Sequence, residues 1–401
     1  MLISFVLAAA LLTTPASASE PDWVAAWTWA PSSNVGPTGP ASRPNPNDVR
    51  GPLGPETVTK QTVSQTTTVS ASGDRLRLRV SNLYGSAPVV LGAVSVSVGD
   101  AAPVAVTFDG AAGLTLPAGA PRLSDPVALP VQALDRVTIS VFYPAETALA
   151  VHRLRQVVRD GDTTTLSVPA DALRQRVGGL VTAIEVEADA ATPVIVALGD
   201  SITEGTGAVP SPLVRGWPER LAERMIAGGK PWAVVNAGIG GNRLLHQGSG
   251  PSGLERLDAD ALAVSGAHCL ILLEGINDIG RPARPEYAHE AVTVADLISG
   301  YRQVIARGRA AGLHVVLATI PPFEGANYFT EAGETTRQAV NDWLRGEGVR
   351  EADAVVDFDA AVRDPDSPER LKAEHQSGDW LHPSDAGYQA MAQAVPLDVC
   401  D

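Results

Sequence analysis

A serine, a histidine and an aspartate stand in this chain at positions that suit nucleophilic catalysis. Ser201 follows the apolar run Val194 to Leu198, and Asp379 precedes His382 by three residues. A serine hydroxyl becomes a useful nucleophile when an imidazole takes its proton, and a carboxylate that fixes the imidazole tautomer improves that base. Residues three apart can project from one short loop or helical turn onto the same site. The spacing therefore predicts a triad of Ser201, His382 and Asp379.

The elements expected to carry this triad alternate between strand-length apolar runs and helix-length segments. The predicted strands are Val194 to Leu198, Ala233 to Asn236, Cys269 to Leu273, Val315 to Ile320 and Ala354 to Phe358, and two of the predicted helices are Val294 to Ala311 and Thr335 to Arg345. Such alternation is typical of a parallel sheet covered on both faces. Sites in these sheets form at the carboxyl ends of strands. Ser201, Gly238 to Asn242 and Asn277 follow the first three strands, so we expect them to converge.

The preceding part of the chain has a different periodicity. In one segment Leu76, Leu78 and Val80 alternate with arginines, and in another Val137, Ile139 and Val141 alternate with polar residues. Period-two patterns separated by Gly and Pro turns predict short antiparallel strands, hence an all-β sandwich. We predict a signal peptide at 1–18, a β-sandwich domain at 19–190 and an α/β catalytic domain at 191–401.

The N-terminal residues predict export. An apolar stretch from Leu2 to Leu12 is followed by Ala16-Ser17-Ala18, a small-x-small pattern that suits cleavage near Ala18. The stretch is shorter than the ~20 residues of a membrane-spanning helix, and no later run reaches that length. The mature protein is therefore expected to be secreted or periplasmic, with no integral membrane span. The two cysteines, Cys269 and Cys400, could pair there or stay as free thiols.

Composition narrows the set of partners. The chain has 401 residues, 45% of them hydrophobic, and a formal net charge of -15. A chain of this size and composition can build a large core, and its acidity would repel nucleic acid and anionic lipid. Its histidines show no metal-ligand spacing, and the glycines at Gly238, Gly240 and Gly241 lack the dinucleotide-binding spacing. We therefore expect no nucleic-acid partner, no metal and no cofactor.

Four ordered blocks resemble those of the SGNH/GDSL hydrolases. They are Gly199-Asp200-Ser201, Asn236 to Asn242, Gly275-Ile276-Asn277-Asp278 and Asp379-Trp380-Leu381-His382-Pro383. The resemblance covers about residues 193 to 395 and implies a flavodoxin-like sheet with Ser201 as nucleophile and His382 as base. It also implies an oxyanion hole made by the backbone N–H of Ser201, the backbone N–H of Gly241 and the Asn277 side chain. The region before it looks like the β-domain of some secreted bacterial members.

These features predict a secreted serine esterase that acts through an acyl-enzyme. By family analogy, short acyl esters are the preferred substrates, especially acetyl groups on carbohydrates; lipase or arylesterase action on more apolar esters is the alternative enzyme. A carbohydrate-binding or adhesion protein with a non-catalytic hydrolase-like domain is the alternative of another class. Asp200 and Asp278 are expected to support the site, and Trp380 to line it. The oligomeric state and the role of the β-domain stay open.

Overall fold

The computed structural model describes residues 23–32, 52–149, 152–188, 192–207 and 215–401. The predicted signal peptide and its cleavage near Ala18 lie outside these residues, as does the predicted domain junction at 190–191. No helix in the described ranges is long and apolar enough to cross a membrane.

The N-terminal region consists of antiparallel strands. They are β1 (Trp23–Thr28), β2 (Thr57–Val58), β3 (Gln61–Thr68), β4 (Leu76–Ser81), β5 (Val89–Leu91), β6 (Val94–Val98), β7 (Val104–Val106), β8 (Leu114–Leu116), β9 (Pro121–Leu123), β10 (Arg136–Tyr143), β11 (Thr147–Ala148), β12 (Leu154–Asp160), β13 (Gln175–Val177) and β14 (Val181–Glu187). Two larger sheets have the orders β1-β14-β4-β9 and β13-β12-β3-β10-β6-β7, and two small sheets pair β11 with β2 and β5 with β8.

The alternating apolar residues of both larger sheets contribute to one hydrophobic cluster, as a sandwich requires. Leu78 of β4 and Ile139 of β10 are both buried. On the opposite face of β4, Arg77 and Arg79 both form ion pairs with the buried Glu185 of β14. The predicted all-β region is confirmed.

The C-terminal region contains one parallel sheet. Its strands are β15 (Val194–Gly199), β16 (Ala233–Gly238), β17 (Ala267–Leu273), β18 (His314–Ala318) and β19 (Ala354–Val356). Their order is β16-β15-β17-β18-β19, the flavodoxin-like arrangement in which the first strand lies between the second and third. Every residue of β15 and β16 is buried, which accounts for their apolar character, with Asn236 of β16 as a hydrogen-bonded exception. The predicted fold class is confirmed.

Helices flank the parallel sheet. The α-helices are α1 (Ser201–Glu204), α2 (Trp217–Ala227), α3 (Gly253–Leu257), α4 (Ile276–Gly280), α5 (Val294–Ala310), α6 (Glu331–Trp343), α7 (Val349–Glu351), α8 (Phe358–Val362) and α9 (Asp385–Ala394). Short 3-10 segments cover Arg281–Ala283, Pro285–Glu290 and Ala373–His375, and π-helical turns cover Asp258–Leu262 and Leu344–Gly348.

Several hydrogen bonds join the two sheet regions. Thr28 Oγ1 at the end of β1 donates to the carbonyl oxygen of Asn236 at 2.8 Å, and the Val234 N–H donates to Ser70 Oγ at 3.1 Å. Ser265 Oγ donates to Glu185 Oε1 at 2.9 Å. The antiparallel region is therefore hydrogen-bonded to the strand that leads into the second predicted site block.

A disulfide joins Cys269 in the central strand β17 to Cys400, 131 residues later. Both cysteines are buried, and the enclosed segment includes Asp379 and His382. The pairing that the sequence left open is thus present. It links the sheet to the segment that follows α9.

Removing this bridge is expected to destabilise the protein by about 3 to 5 kcal/mol, because a loop of this length loses much conformational entropy in the unfolded chain when it is closed. Thermal unfolding of wild type with and without reductant, beside Cys269→Ala/Cys400→Ala, measures the effect. The double variant should match the reduced wild type. Equal unfolding temperatures for oxidised and reduced protein would contradict a stabilising role.

Candidate active site

Three side chains from two distant segments meet at the carboxyl end of β15. Ser201 is the first residue of α1, directly after Asp200, which caps that helix. Its Oγ lies 2.8 Å from His382 Nε2, and His382 Nδ1 lies 2.6 Å from Asp379 Oδ2. The sequence separation of Ser201 and His382 is 181 residues. The fold therefore brings together the serine, the imidazole and the carboxylate that the sequence singled out.

The loop from Asp379 to His382 holds its carboxylate by backbone hydrogen bonds. The N–H groups of Leu381 and His382 donate to Asp379 Oδ1 at 3.0 and 2.9 Å. Burial alone would raise the pKa of Asp379, but the hydrogen bond and charge of His382 and these two N–H groups lower it to about 2. Asp379 is therefore ionised at neutral pH.

The ionised carboxylate determines the tautomer of His382. A carboxylate can only accept hydrogen bonds, so the 2.6 Å contact places the proton of a neutral imidazole on Nδ1. Nε2 then has a free lone pair that can accept the hydroxyl proton of Ser201. This is the arrangement in which a serine can be deprotonated as it attacks.

The two backbone N–H groups that the sequence singled out for an oxyanion hole have no acceptor among the described residues. They belong to Ser201 and Gly241. Gly241 has a φ of 76°, and a Cβ placed on it would lie 2.7 Å from Ser249 Oγ. Only glycine suits this left-handed, closely packed position. Both groups are thus available to donate to a negatively charged oxygen.

The side chain of Asn277 is more heavily engaged than the sequence suggested. Its Nδ2 donates to the carbonyl oxygen of Asn242 at 3.0 Å and to Asp200 Oδ2 at 3.3 Å, and its Oδ1 accepts from the Tyr328 hydroxyl at 3.3 Å. Asn277 therefore lies at the site, but a third hydrogen bond from its amide to a substrate requires one of these two contacts to lengthen.

Buried carboxyl groups lie directly behind the site. Burial raises the pKa of Asp200 to about 7, although the hydrogen bond from the Ile202 N–H lowers it in part. Burial likewise raises the pKa of Asp278 to about 6, and the N–H groups of Leu245 and Leu244 lower it in part. Glu274 is also fully buried, and Arg256 Nη2 lies 3.6 Å from its Oε1. Burial and the neighbouring Asp200 raise its pKa as well. Asp200 accepts from the Ile202 N–H and Asp278 from those of Leu244 and Leu245, and their supporting role in the site stays a prediction.

The raised pKa of Asp200 predicts a pH dependence of stability. A carboxyl group whose pKa is higher in the folded chain contributes stability that is present below its unfolded value near 4 and is lost as the pH rises through its folded value. The free energy of unfolding should fall by on the order of a few kcal/mol between pH 4 and pH 8, and by less in Asp200→Asn. Denaturant unfolding at both pH values tests this, with the exposed Asp366→Asn as control. If the free energy of unfolding of Asp200→Asn falls with pH as steeply as that of wild type, the raised pKa of Asp200 is contradicted.

Arg256 was not identified from the sequence, although it fixes three of the site segments. Its buried guanidinium donates to the carbonyl oxygens of Gly199 and Ala237 at 2.8 and 2.6 Å and to Asn242 Oδ1 at 2.8 Å. It also pairs with Asp260 at 3.1 Å. The spacing of Arg256 and Asp260, four residues apart beside apolar positions, was the available signal. The contacts of Arg256 with the strand ends had no signal in the sequence, because they depend on the tertiary fold.

The antiparallel region reaches the helix that carries Ser201. His152 Nε2 lies 3.1 Å from Glu204 Oε1 at the end of α1, and its Nδ1 lies 2.6 Å from the carbonyl oxygen of Ala30. The ring of Trp29 stacks on His152 with ring centres 4.0 Å apart. The antiparallel region thus contacts the helix that begins at Ser201, and this contact was also missed from the sequence.

Trp380 lies between Asp379 and His382 in the sequence and is partly exposed. Its φ is 59°, in the left-handed region that non-glycine residues rarely occupy, and the Arg370 guanidinium lies 5.0 Å from its ring centre. A Cβ on Gly325 would lie 2.8 Å from the Trp380 ring, so the Gly325 backbone packs closely on that ring. These contacts hold the tryptophan in the loop, and stacking on a substrate stays a prediction.

The part of the chain that contains Ser201 and His382 is similar to a known protein family. The family model described as "GDSL-like Lipase/Acylhydrolase family" matches residues 197–390. Among curated proteins none matches the chain. Within the described residues, no group of three or more His, Cys, Asp or Glu side chains could hold a metal ion.

Three solved structures are similar to about half of this chain. An acetylxylan esterase from Geobacillus stearothermophilus has 22% identity over 50% of this chain and 91% of its own, with a TM-score of 0.40. An aryl esterase from M. smegmatis has 15% identity over 50% and 95%, with a TM-score of 0.39. A GDSL-like lipase from Bacteroides thetaiotaomicron has 16% identity over 51% and 87%, with a TM-score of 0.37.

Proposed function

Because residues 197–390 form a GDSL-like lipase/acylhydrolase domain, we propose that this protein is a serine esterase that cleaves carboxylic esters through an acyl-enzyme. The observation that carries the proposal is the continuous hydrogen-bond chain from Ser201 Oγ through His382 to the ionised Asp379. A hydroxyl, a base and an orienting carboxylate in this order are the requirements for an activated serine.

The reaction uses each of these groups in turn. Ser201 Oγ attacks the ester carbonyl carbon while its proton passes to His382 Nε2. The tetrahedral intermediate then collapses, the alcohol leaves with the proton from Nε2, and an acyl group stays on Ser201. Water, deprotonated by the same nitrogen, attacks the acyl-enzyme; the bond between the acyl carbon and Ser201 Oγ then breaks, Oγ takes the proton back from Nε2, and the carboxylic acid is released. Asp379 stabilises the imidazolium that forms in both steps.

Two backbone donors are proposed to stabilise the intermediate. The N–H groups of Ser201 and Gly241 have no described acceptor, and both would donate to the developing oxyanion. The Asn277 amide is the third donor, once its 3.3 Å contact with Asp200 lengthens. Preorganised donors of this kind each contribute about 10²- to 10³-fold to turnover.

Short acyl esters are the proposed substrates, including acetyl groups on carbohydrates. Hydrogen-bonding side chains border Gly241 and Asn277, among them Arg281, Ser249 and Asp200. Polar surroundings of this kind suit a small acyl group better than a long acyl chain, which needs apolar surface to be bound favourably. Export to an oxidising compartment is supported by the disulfide between Cys269 and Cys400.

The test is hydrolysis of activated esters with acyl chains from two to about ten carbons, together with acetate release from acetylated polysaccharides. We expect kcat/KM to be highest for acetyl and to fall steeply with chain length, since a closed pocket discriminates each methylene by roughly 10- to 200-fold. A maximum at long chains would favour a lipase. Polysaccharide binding by folded protein without any turnover would overturn the esterase proposal in favour of a carbohydrate-binding protein.

A further inference from the structure

An arginine touches the segment that provides the proposed oxyanion-hole glycine. Arg281 Nη2 donates to the carbonyl oxygen of Gly241 and to Ser249 Oγ, both at 3.2 Å. Arg281 follows α4, the helix that carries Asn277. The cation therefore lies at the rim where the carbonyl oxygen of an ester substrate would be bound.

Arg281 has no carboxylate partner within the part of the chain that the structure describes. The more deeply buried arginines do have one: Arg243 pairs with Glu290, Arg256 with Asp260 and Arg337 with Glu334. Arg281 is only partly exposed, and the cations Arg243 and Arg284 repel its charge. Burial and these neighbours lower the pKa of Arg281. An uncompensated, partly desolvated cation is costly in the free protein, and a bound anion would offset that cost.

The surroundings of Arg281 orient it but leave part of its guanidinium uncovered. Its carbon lies 5.3 Å from the ring centre of Tyr287. A Cβ on Gly248 would lie 2.8 Å from Nη1, so a side chain at this position would crowd that nitrogen. The hydrogen bonds described above use Nη2 alone, and no described residue accepts one from Nε or Nη1. Donors on a planar guanidinium match the oxygens of carboxylate or phosphate groups.

We propose that Arg281, assisted by the neighbouring Arg284, binds a negatively charged oxygen group of the substrate, so that this protein prefers esters that carry a carboxylate or phosphate. The inference rests on the proposed esterase function. With a formal net charge of -15, the chain would repel anions at long range. Arg281 beside Gly241, together with the electrostatically neighbouring Arg284, provides the local attraction that such a substrate needs.

The experiment compares kcat/KM for matched anionic and neutral esters. On the alcohol side the set is 3-carboxyphenyl acetate, 3-phosphonooxyphenyl acetate and the neutral 3-carbamoylphenyl acetate; on the acyl side it is mono-4-nitrophenyl succinate against 4-nitrophenyl succinamate. The two anionic phenyl esters distinguish carboxylate from phosphate. In Arg281→Gln the anionic-to-neutral ratio should fall roughly tenfold to a hundredfold relative to wild type, the effect of one charge-assisted hydrogen bond. Because the anionic-to-neutral ratio of each variant is divided by that of wild type, intrinsic differences in reactivity between the esters cancel.

Two further variants complete the comparison. Arg284→Gln should lower the same ratio to a smaller extent, and Arg350→Gln, which replaces an exposed arginine on α7, should leave it unchanged. If Arg281→Gln slows anionic and neutral esters equally, Arg281 only anchors the Gly241 segment and the proposal is wrong. If Arg281→Gln does not fold, Arg281→Lys, which keeps the charge without the planar fork, should lower the ratio while retaining part of the preference. A ratio equal to that of wild type in both Arg281→Lys and Arg284→Gln would overturn the proposal.

Binding to an inactive protein separates this inference from the esterase proposal. Calorimetric titration of Ser201→Ala with 3-carboxyphenyl acetate and 3-carbamoylphenyl acetate should show tighter binding of the anion, and Arg281→Gln in the same background should remove the difference. Added salt should weaken binding of the anion alone. Absence of turnover by wild type would remove the esterase proposal, whereas equal binding of the two esters would remove the anionic subsite.

Discussion

Replacement of Ser201 by alanine is expected to lower kcat by about 10⁵- to 10⁶-fold, with little change in folding. The hydroxyl that His382 Nε2 contacts at 2.8 Å is lost, and the remaining backbone donors can only accelerate attack by water. Steady-state hydrolysis of an acetyl ester measures the effect. Circular dichroism and the presence of the Cys269–Cys400 bridge should show that the variant is folded.

The control for this experiment is Ser299→Ala, which removes an exposed serine of α5 and should retain wild-type turnover. A fluorophosphonate probe should label wild type on Ser201 and fail to label Ser201→Ala. Near-wild-type turnover in folded Ser201→Ala would show that another group carries the reaction. Labelling at a different serine would identify that group.

Replacement of Asp379 by asparagine is expected to lower kcat by roughly 10⁴-fold. The asparagine oxygen can still accept from the N–H groups of Leu381 and His382, so the loop keeps its shape. Its amide nitrogen, however, would donate to His382 Nδ1 and place the ring proton on Nε2. Nε2 could then no longer accept the proton of Ser201.

The pH profile separates this explanation from a general loss of structure. The pKa of Asp379 is about 2, so its carboxylate stays charged at every pH above about 4 and its titration contributes nothing to the acid limb of the wild-type profile there. We expect Asp379→Asn to have low activity across that whole range. The exposed Asp342→Asn on α6 is the matched control. A loss below tenfold would mean that Asp379 does not orient the base.

Much of the C-terminal fold could be predicted from the sequence because its strands are buried on both faces. Their ends were less well defined. The predicted strands to Ile320 and Phe358 stop at Ala318 and Val356. The Ile320 N–H bonds to the side chain of Asn341, and Phe358 begins α8 with Asp357 as its cap. Local hydrophobicity continues past both points, whereas the hydrogen-bond pattern does not.

The helix predicted from Thr335 begins four residues earlier, at Glu331. Thr330 caps it by accepting from the Gly333 N–H. The first turn contains acidic and small residues without an apolar period, so only the cap marked its start. Helix ends of this kind depend on single side chains that a periodic pattern does not register.

Long-range contacts at the site had no local signal at all. His152 and Glu204 are 52 residues apart, and Thr28 and Asn236 are 208 apart. No sequence motif marked Arg281 either. What distinguishes it is its contact with Gly241 and the lack of a carboxylate partner among the described residues, and both depend on the folded structure. The triad could be predicted since its residue types and spacing reflect the chemistry itself; the groups that position it could not, since their contacts form only in the folded chain.

The bridge between Cys269 and Cys400 also affects how this protein would respond to limited proteolysis. The stretch Pro365–Glu369 is exposed and lies between the two cysteines. A protease cut there would separate the peptide carrying His382 from the one carrying Ser201 along the backbone, yet leave them covalently joined. Nicked protein should therefore migrate as one species until reductant is added, and then as two fragments.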